Sequence, residues 1–291
     1  MSSQGWDLSA LEERLRGHVA QLAGCPRPPG TEAHQQAARY IQQHFQLAGF
    51  QVDVQCFEEA GLECLNVVAG VPEQFATPLV VLGAHYDSVP GSPGADDNAS
   101  AVAALLEIGY QLRPTLEAGR ARLHLVAYDL EEYGLIGSYL HARALKQART
   151  HLLGMISLEM LGYCDDRPGS QRMPAHLAPR YPEVGNFIGI VGNEDSRGLL
   201  ETVVTGMKQA GGVPVESIAV PDRGETLAET RFSDHSSFWD HDYPALMITD
   251  TSFFRNPHYH RSSDTPDKLD YGFLARVTRA VSNAVKGLLQ H

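Results

Sequence analysis

The first fifty positions contain two stretches in which apolar residues recur at helical spacing. The first stretch places apolar side chains three or four residues apart, at Leu11, Leu15, Val19 and Leu22. Ser9 and Glu12 have the spacing of a capping box, so we expect this helix to begin at Ser9. The second stretch follows Thr31, a residue type that caps helices, and ends before Gly49. The pattern therefore predicts two amphipathic helices before the first strand.

After position 50, short apolar runs alternate with longer helical stretches. Residues 50–56 alternate apolar and polar side chains, which is typical of a half-buried strand. Five apolar runs predict further strands, at residues 79–82, 124–128, 154–158, 187–191 and 245–249. Three amphipathic stretches predict helices, at residues 99–112, 136–148 and 267–289. Strands that alternate with helices indicate an α/β fold, with a mainly parallel central sheet and helices on both faces.

The chain shows no repeat and no change of composition that would separate two domains. Its 291 residues are compatible with one large domain. Residues 164–186 are rich in Pro, Gly and Arg and lack periodicity, which predicts an irregular loop over one edge of the sheet. Because predicted strands resume after this loop, we interpret residues 1–291 as a single domain.

Composition and charge narrow the range of partners. With 43% hydrophobic and 20% charged residues, the sequence has the composition of an ordinary globular protein. Its 23 Lys and Arg residues against 35 Asp and Glu residues give a formal net charge of -12. Nucleic acids and anionic membranes are bound through basic patches, so we expect neither as a partner. No apolar run reaches the roughly eighteen residues that a membrane helix needs.

The first residues lack the basic and apolar regions of a signal peptide, so we expect a cytoplasmic location. A leader removed from a precursor would leave the same sequence. The sequence carries no indication of an oligomeric state.

The cysteines do not have the pattern of a metal knuckle or a disulfide scaffold. There are four, and no two of them form a CxxC pair. Cys56 and Cys64 are close enough in sequence for a local disulfide. Otherwise we expect the thiols to be buried or inert.

Residues with metal-binding side chains follow one predicted strand after another. These positions are His85 with Asp87, then Asp97, then Glu131 with Glu132, then Glu159, then His258 and His260. In open α/β sheets, ligands bind at the carboxyl ends of the strands, where these side chains would meet. Imidazole and carboxylate groups suit Zn²⁺ and other divalent ions of the first transition row. The set exceeds what one zinc ion needs, so two metal ions that share a carboxylate are expected, as in many hydrolases.

Each of these features has a simpler explanation when it is taken alone. Asp97 or Asn98 could cap the helix that follows, and the Glu131–Glu132 pair could be a solvated turn. A histidine at a strand end is more often a surface or satisfied residue than a ligand. A metal site is favoured because side chains that can bind a metal follow five successive predicted strands.

The sequence resembles the di-zinc aminopeptidase family of metallopeptidases, which also has glutamate carboxypeptidase and glutaminyl cyclase relatives. The resemblance rests on the segments GAHYDS, PGADDNASA, LEEYGLIGS, SLEM and YHRSSDTPDKLD, and it extends from about Arg27 to the last helix. It implies one catalytic domain with a mixed sheet between helices, a peptide substrate and two Zn²⁺ ions per chain.

The resemblance also implies a metal-binding role for five residues. His85 and Glu159 match the ligands of one zinc ion, and Glu132 and His260 match those of the other. Asp97 matches the carboxylate that bridges the two ions, because it directly precedes the Asn-Ala-Ser segment. Many relatives have Asp where this chain has Glu159.

Catalysis would then depend on two more residues. Glu131 matches the general base that takes a proton from the attacking water and gives it to the leaving amine. Asp87 matches the partner that orients His85. His258 is expected to be a bystander or a pocket residue, and the Ser233–His235 segment is expected to have a structural or pocket role.

The resemblance leaves several activities open. We expect an aminopeptidase first, and a glutaminyl cyclase with a single zinc ion is the alternative. Tyr259 stands where the cyclases are expected to have Trp. A carboxypeptidase or dipeptidase would need a cation for the substrate carboxylate, for which the candidates are Arg172, Arg180 and Arg261.

A domain that only binds its partner is the third possibility, although no expected ligand is missing. We expect the specificity pocket among Tyr163, residues 164–186 and residues 232–243.

Overall fold

The computed structural model describes residues 6–71, 78–118, 120–175 and 177–290. Eight strands form one sheet in the order β1-β2-β4-β3-β5-β8-β6-β7. The strands are β1 (Gln51–Glu59), β2 (Leu62–Gly70), β3 (Leu79–His85), β4 (Arg122–Tyr128), β5 (Leu152–Glu159), β6 (Ile188–Asn193), β7 (Val215–Val220) and β8 (Ala245–Thr249). The α-helices are α1 (Leu8–Leu22), α2 (Glu32–Leu47), α3 (Ala101–Leu112), α4 (Ile136–Gln147), α5 (Arg197–Ala210), α6 (His235–Trp239) and α7 (Tyr271–Gln290).

The sheet is mixed, with a parallel centre. Strands β4, β3, β5 and β8 are parallel to one another, so their carboxyl ends lie at one edge. Strand β6 runs antiparallel to β8, and β7 runs parallel to β6. The amino-terminal ends of β6 and β7 therefore lie at the same edge as the carboxyl ends of the central strands.

Both faces of the sheet are covered by apolar packing. Along β3, Val80 and Leu82 belong to the larger core, which includes buried residues of α1, α2, α3, α5 and α7. Leu79 and Val81 belong to a second core, which includes buried residues of α4 and α6. Alternate residues of a strand point to opposite faces, so the helices lie in two layers around the sheet. This confirms the predicted fold class, which is an α/β fold with a mixed, mostly parallel sheet and helices on both faces. The assignment of residues 1–291 to a single catalytic domain stays a prediction.

Several predicted boundaries were wrong. Helix α1 is capped by Asp7, whose side chain accepts a hydrogen bond from the Ala10 N–H, and not by the Ser9–Glu12 box. Thr31 caps α2 as predicted. The helix predicted from residue 99 begins at Ala101, after a π-helical turn over Ala95–Ser100.

Two further differences concern the last helix and the elements that were missed. Helix α7 begins at Tyr271 because Pro266–Lys268 form a separate 3₁₀ turn. Strands β2 and β7 and helices α5 and α6 were not predicted. Strand β7 is short and alternates little, and α6 has only five residues, so neither has enough sequence for a clear period.

The four cysteines are free thiols, of which Cys25 and Cys56 are exposed. Cys56 lies opposite Leu65 in the β1–β2 ladder and Cys64 lies opposite Phe57. Neighbouring residues of a strand point to opposite faces, so the two thiols lie on different faces of the sheet and do not form the local disulfide that their spacing left open. None of the helices in the described part of the chain is long and apolar enough to span a bilayer.

A partly buried ion pair, between the exposed Arg14 and the buried Glu107, joins α1 to α3 on the larger helical layer. Glu107 is 4% exposed, and its carboxylate accepts hydrogen bonds from Arg14 Nε at 2.9 and 3.0 Å. His18 Nε2 lies 3.2 Å from Glu107 Oε1, and His18 Nδ1 lies 2.7 Å from the Tyr40 hydroxyl. Burial alone would raise the Glu107 pKa, but the hydrogen bonds and charges of His18 and Arg14 outweigh it and lower that pKa.

We expect Glu107→Gln to destabilise the fold by about 1 kcal/mol at pH 7. Because the Glu107 pKa is lowered in the folded state, its charge stabilises the protein above the pKa of the unfolded chain. That stabilisation is lost as the pH falls through the folded value. The difference between the wild type and the variant should therefore shrink as the pH falls below the usual pKa range of a glutamate carboxyl group. Urea unfolding at several pH values measures it, with the exposed Glu13→Gln on α1 as the control; an equal difference at all pH values would contradict the prediction.

Candidate metal centre

The predicted ligands meet at the edge where the central strands end. His85 and Glu159 are the last residues of β3 and β5, and both are buried. Glu131 and Glu132 lie in the turn after β4, which begins with Leu130 at a φ of 56°. The structure brings together all seven residues that the sequence assigned to the site: His85, Asp87, Asp97, Glu131, Glu132, Glu159 and His260.

His85 and Glu159 form one half of the cluster. His85 Nε2 lies 3.3 Å from Asp97 Oδ1 and 3.6 Å from Glu159 Oε1. Glu131 Oε2 lies 3.8 Å from the same nitrogen. One imidazole nitrogen therefore faces three carboxylates.

His260 forms the other half. Its Nε2 lies 3.1 Å from Asp97 Oδ2 and 3.1 Å from Glu132 Oε2. Asp97 thus directs one carboxylate oxygen to each histidine, which is the placement expected of a ligand shared by two ions. Potential ligand atoms lie within 4.8 Å of one another in three groups, which are His85–Asp97–Glu159, His85–Glu131–Glu132 and Asp97–Glu132–His260.

The electrostatics of the cluster fit a bound cation. Burial, together with the like charges of Glu159 and Glu132, raises the pKa of Glu131 well above its usual value despite the nearby His85. Burial and the charge of Asp97 raise the pKa of Glu132 to about 7. The Nε2 atom of His85 and the Oε1 atom of Glu132 are buried and have no hydrogen-bond partner among the described residues. Imidazole and carboxylate donors without partners suit Zn²⁺, so the residues present fit the metal that the sequence predicted.

Asp87 joins the two halves through the backbone. Its Oδ1 accepts a hydrogen bond from the Glu131 N–H and its Oδ2 accepts one from the Glu132 N–H, both at 3.2 Å. Asp87 Oδ1 also lies 3.4 Å from His85 Nδ1. The carboxylate therefore fixes the glutamate turn as well as facing the histidine.

Asp97 is held by residues that sequence reasoning did not single out. Asp264 accepts hydrogen bonds from the N–H groups of Asp96 and Asp97, at 3.0 and 3.1 Å. The Asn98 side chain donates to the Leu158 carbonyl and accepts from the Met160 N–H, so it does not cap α3. The Asp97–Asn98 peptide bond is cis. Asp264 lies inside the segment that carried the family resemblance, which was the available signal for it.

A buried arginine supports the loop between β3 and Asp97. Arg27 is 1% exposed and donates to the carbonyls of Tyr86, Leu22, Pro93 and Gly94. Burial lowers its pKa to about 10, although the charges of Asp264, Asp97, Asp87 and Glu132 oppose that effect. The guanidinium can therefore order a loop that has no regular structure of its own.

Two neighbours complete the surroundings of the ligands. Ser233 Oγ donates to Glu159 Oε2 at 2.8 Å, so the Ser233–His235 segment touches the centre. The Tyr259 ring stacks on the His260 ring with centroids 3.7 Å apart. His258 turns aside, and its Nδ1 lies 2.9 Å from the Ser263 hydroxyl.

A cavity of about 140 Å³ opens beside the cluster. Its lining includes Asp97, Glu131, Glu132 and Glu159 on one side. Apolar residues form much of the remaining wall, among them Met173, Leu177, Phe187, Ile190, Phe232 and Phe253. Residues of the 164–186 loop thus line the cavity, as does Phe232. Tyr163 and the three arginines named as carboxylate binders are not among its described lining residues, and Arg172 donates to the Phe253 carbonyl.

We expect Asp264→Asn to weaken Zn²⁺ binding by about 10- to 100-fold, because one backbone N–H near Asp97 loses its acceptor. The measurement is competition with a chelator of known affinity. Asp267→Asn, at an exposed position three residues away, is the matched control. Unchanged affinity in a folded Asp264→Asn protein would show that the Asp97 turn keeps its shape without this carboxylate.

Comparisons with known proteins agree with this geometry. A family model described as Peptidase family M28 matches residues 66–285. The chain is 37% identical to the uncharacterized protein YfbL of Escherichia coli over 259 residues, which are 84% of this chain and 77% of YfbL. It is 27% identical to leucine aminopeptidase 1 of Arthroderma otae over 235 residues, which are 77% of this chain and 57% of that relative.

Solved structures share the fold at low sequence identity. A zinc aminopeptidase from Bacillus subtilis superposes with a TM-score of 0.76 and 15% identity, over 96% of this chain and 95% of that chain. A glutaminyl cyclase of Porphyromonas gingivalis superposes with a TM-score of 0.71 and 20% identity, over 94% and 97% of the two chains. These two structures support the fold alone, whereas the family model and the similarity to YfbL cover most of the sequence. The chain belongs to peptidase family M28.

Proposed function

We propose that the protein is a zinc-dependent aminopeptidase that removes N-terminal residues from peptides and holds two Zn²⁺ ions. The observation that carries this proposal is the charge of the cavity beside the metal centre. Its described lining includes six carboxylates and no Lys, Arg or His. Two bound Zn²⁺ ions would compensate the charges of Asp97, Glu131, Glu132 and Glu159, and Glu216 and Glu229 would remain negative. A substrate carboxylate would therefore find no cationic side chain in the described lining. This distribution favours an aminopeptidase over a carboxypeptidase.

The relatives support the same activity. One relative is named a leucine aminopeptidase, and one solved structure with the same fold is named a zinc aminopeptidase. The chain spans a little over half the length of the leucine aminopeptidase, so the activity of that whole protein is carried over only as part of the proposal.

The ligand assignment follows the two halves of the cluster. His85 and Glu159 would hold one zinc ion, Glu132 and His260 the other, and Asp97 would contact both. When bound, the ions supply Lewis-acid polarisation of the scissile carbonyl and ease the deprotonation of water. Asp87, Asp264 and Ser233 keep the ligand atoms in place through the hydrogen bonds described above.

Glu131 would perform the proton transfers. Its side chain is 12% exposed, against 4–8% for Asp97, Glu132 and Glu159, so it is the most accessible carboxylate of the cluster. Its carboxylate accepts no hydrogen bond from a described residue. It can therefore take the proton of the attacking water and deliver it to the departing amine.

We expect purified protein supplied with zinc to contain about two Zn²⁺ per chain and to hydrolyse Leu-p-nitroanilide. Chelation should abolish the activity and added zinc should restore it. The N-acetylated substrate is the matched control and should not react, because it lacks the free amine. One zinc per chain with cyclisation of an N-terminal Gln peptide, and no release of p-nitroaniline, would instead support a glutaminyl cyclase.

We expect Glu131→Gln to lower kcat by about 10²- to 10⁴-fold while the zinc content stays near two per chain. Asp97→Asn should lose both zinc and activity, because each histidine loses its shared carboxylate. Metal analysis of the folded variants distinguishes the two roles, with Glu13→Gln as a control that changes neither. If Glu131→Gln released zinc, Glu131 would be a ligand and the base would have to be sought elsewhere.

A further inference from the structure

The cavity holds two carboxylates that the metal centre does not use. Glu216 in β7 and Glu229 in the 3₁₀ turn Ala228–Arg231 both line it, and both are half-buried. Neither forms an ion pair or a side-chain hydrogen bond with a cation among the described residues. The arginines near Glu229 have other partners, since Arg231 pairs with Asp240 at 2.8 Å and Arg223 pairs with Asp242 at 2.6 Å.

The sheet fixes the position of Glu216 relative to the metal centre. Glu159 of β5 is in register with Thr249 of β8, Thr249 with Gly189 of β6, and Gly189 with Glu216 of β7. Residues in register across a sheet point to the same face, and these four all line the cavity. Three strand spacings separate Glu159 from Glu216, or about 14 Å between Cα atoms.

Between its two acidic ends the row consists of Thr249 and of Gly189, which has no side chain. A Cβ atom at Gly189 would be in ordinary van der Waals contact with Thr249 and Thr251, the nearest atom lying at 3.4 Å. Because all four residues of the row line the same cavity, the cavity extends from the metal centre to Glu216. Apolar residues beside the row, including Ile190, Ile218 and Phe232, offer contacts for methylene groups.

We propose that Glu216, assisted by Glu229, binds the cationic end of a long basic side chain, so that the enzyme prefers peptides with N-terminal Lys or Arg. This inference rests on the proposed aminopeptidase function. An extended Lys side chain reaches about 6 Å from its Cα and an ion pair adds about 3 Å, so the cation of a substrate bound at the metal ions can approach Glu216 along the cavity. A Leu side chain is shorter and carries no charge to pair with Glu216.

The test compares two substrates that differ only at the end of the side chain. Norleucine has the four carbons of the lysine side chain and lacks the amine. We expect kcat/KM for the Lys aminomethylcoumarin substrate to exceed that for the norleucine substrate by about tenfold. Added NaCl should reduce this preference, because the carboxylates are only half-buried.

Variants then locate the preference. Glu216→Gln should bring the ratio of the two kcat/KM values close to one, because it lowers kcat/KM for the Lys substrate much more than kcat/KM for the norleucine substrate. Glu229→Gln should have a smaller effect in the same direction. The matched control is Glu183→Gln, an exposed glutamate of the 164–186 loop outside the cavity lining, which should leave the ratio as it is.

Binding provides a measurement that does not depend on turnover. Calorimetric titration of the zinc-loaded Glu131→Gln protein should show tighter binding of lysinamide than of norleucinamide, and the difference should disappear when Glu216→Gln is added. Equal hydrolysis and equal binding of the Lys and norleucine compounds would overturn the cation site alone. Failure to hydrolyse any of the amide substrates, with two zinc ions bound, would overturn the proposed aminopeptidase.

Discussion

The repulsion among buried carboxylates at one edge of the sheet is the constraint on which the site depends. Asp97, Glu131, Glu132 and Glu159 lie within a few ångströms of His85 or His260, and burial raises the pKa of Glu131 and Glu132. A chain gains no stability from such a group of like charges in a site of low dielectric constant. Bound divalent cations would compensate this negative charge. The repulsion that destabilises the cluster would then be relieved on binding and would contribute to the affinity for the metal.

The rest of the edge keeps these carboxylates from moving apart. Asp87 holds the glutamate turn through two backbone N–H groups, and Asp264 does the same for the Asp97 turn. Arg27 ties the intervening loop to the end of α1, because it donates to three carbonyl groups of the loop and to the Leu22 carbonyl. These contacts come from segments far apart in sequence, so the geometry of the centre depends on the completed fold. Because these hydrogen bonds hold the turns by their backbone N–H groups, the side-chain carboxylate oxygens stay available to bind a metal.

The sequence located the cluster of candidate ligands better than it located the residues that support the cluster. His85 and Glu159 could be recognised because the carboxyl ends of parallel strands must meet at one edge, and the chemistry of their side chains is specific. Asp264 and Arg27 act on backbone groups, and no periodicity or spacing shows which carbonyl or N–H a side chain will reach. The same limit explains why Ser9 was chosen as a helix cap although Asp7 caps α1, since both residue types serve equally well.

The acidic end of the cavity was missed for a topological reason. Only the residues that follow each strand were considered, which suits a sheet in which all strands are parallel. Strand β6 is antiparallel to β8, so Gly189 and Glu216 reach the same edge from the beginnings of β6 and β7. The reversal places a second group of residues along the cavity that the candidate ligands line, where they would face the part of a substrate that does not react. The parallel centre of the sheet therefore supplies the metal site, and its reversed edge is the part of the fold that can change substrate preference without disturbing the metal ligands.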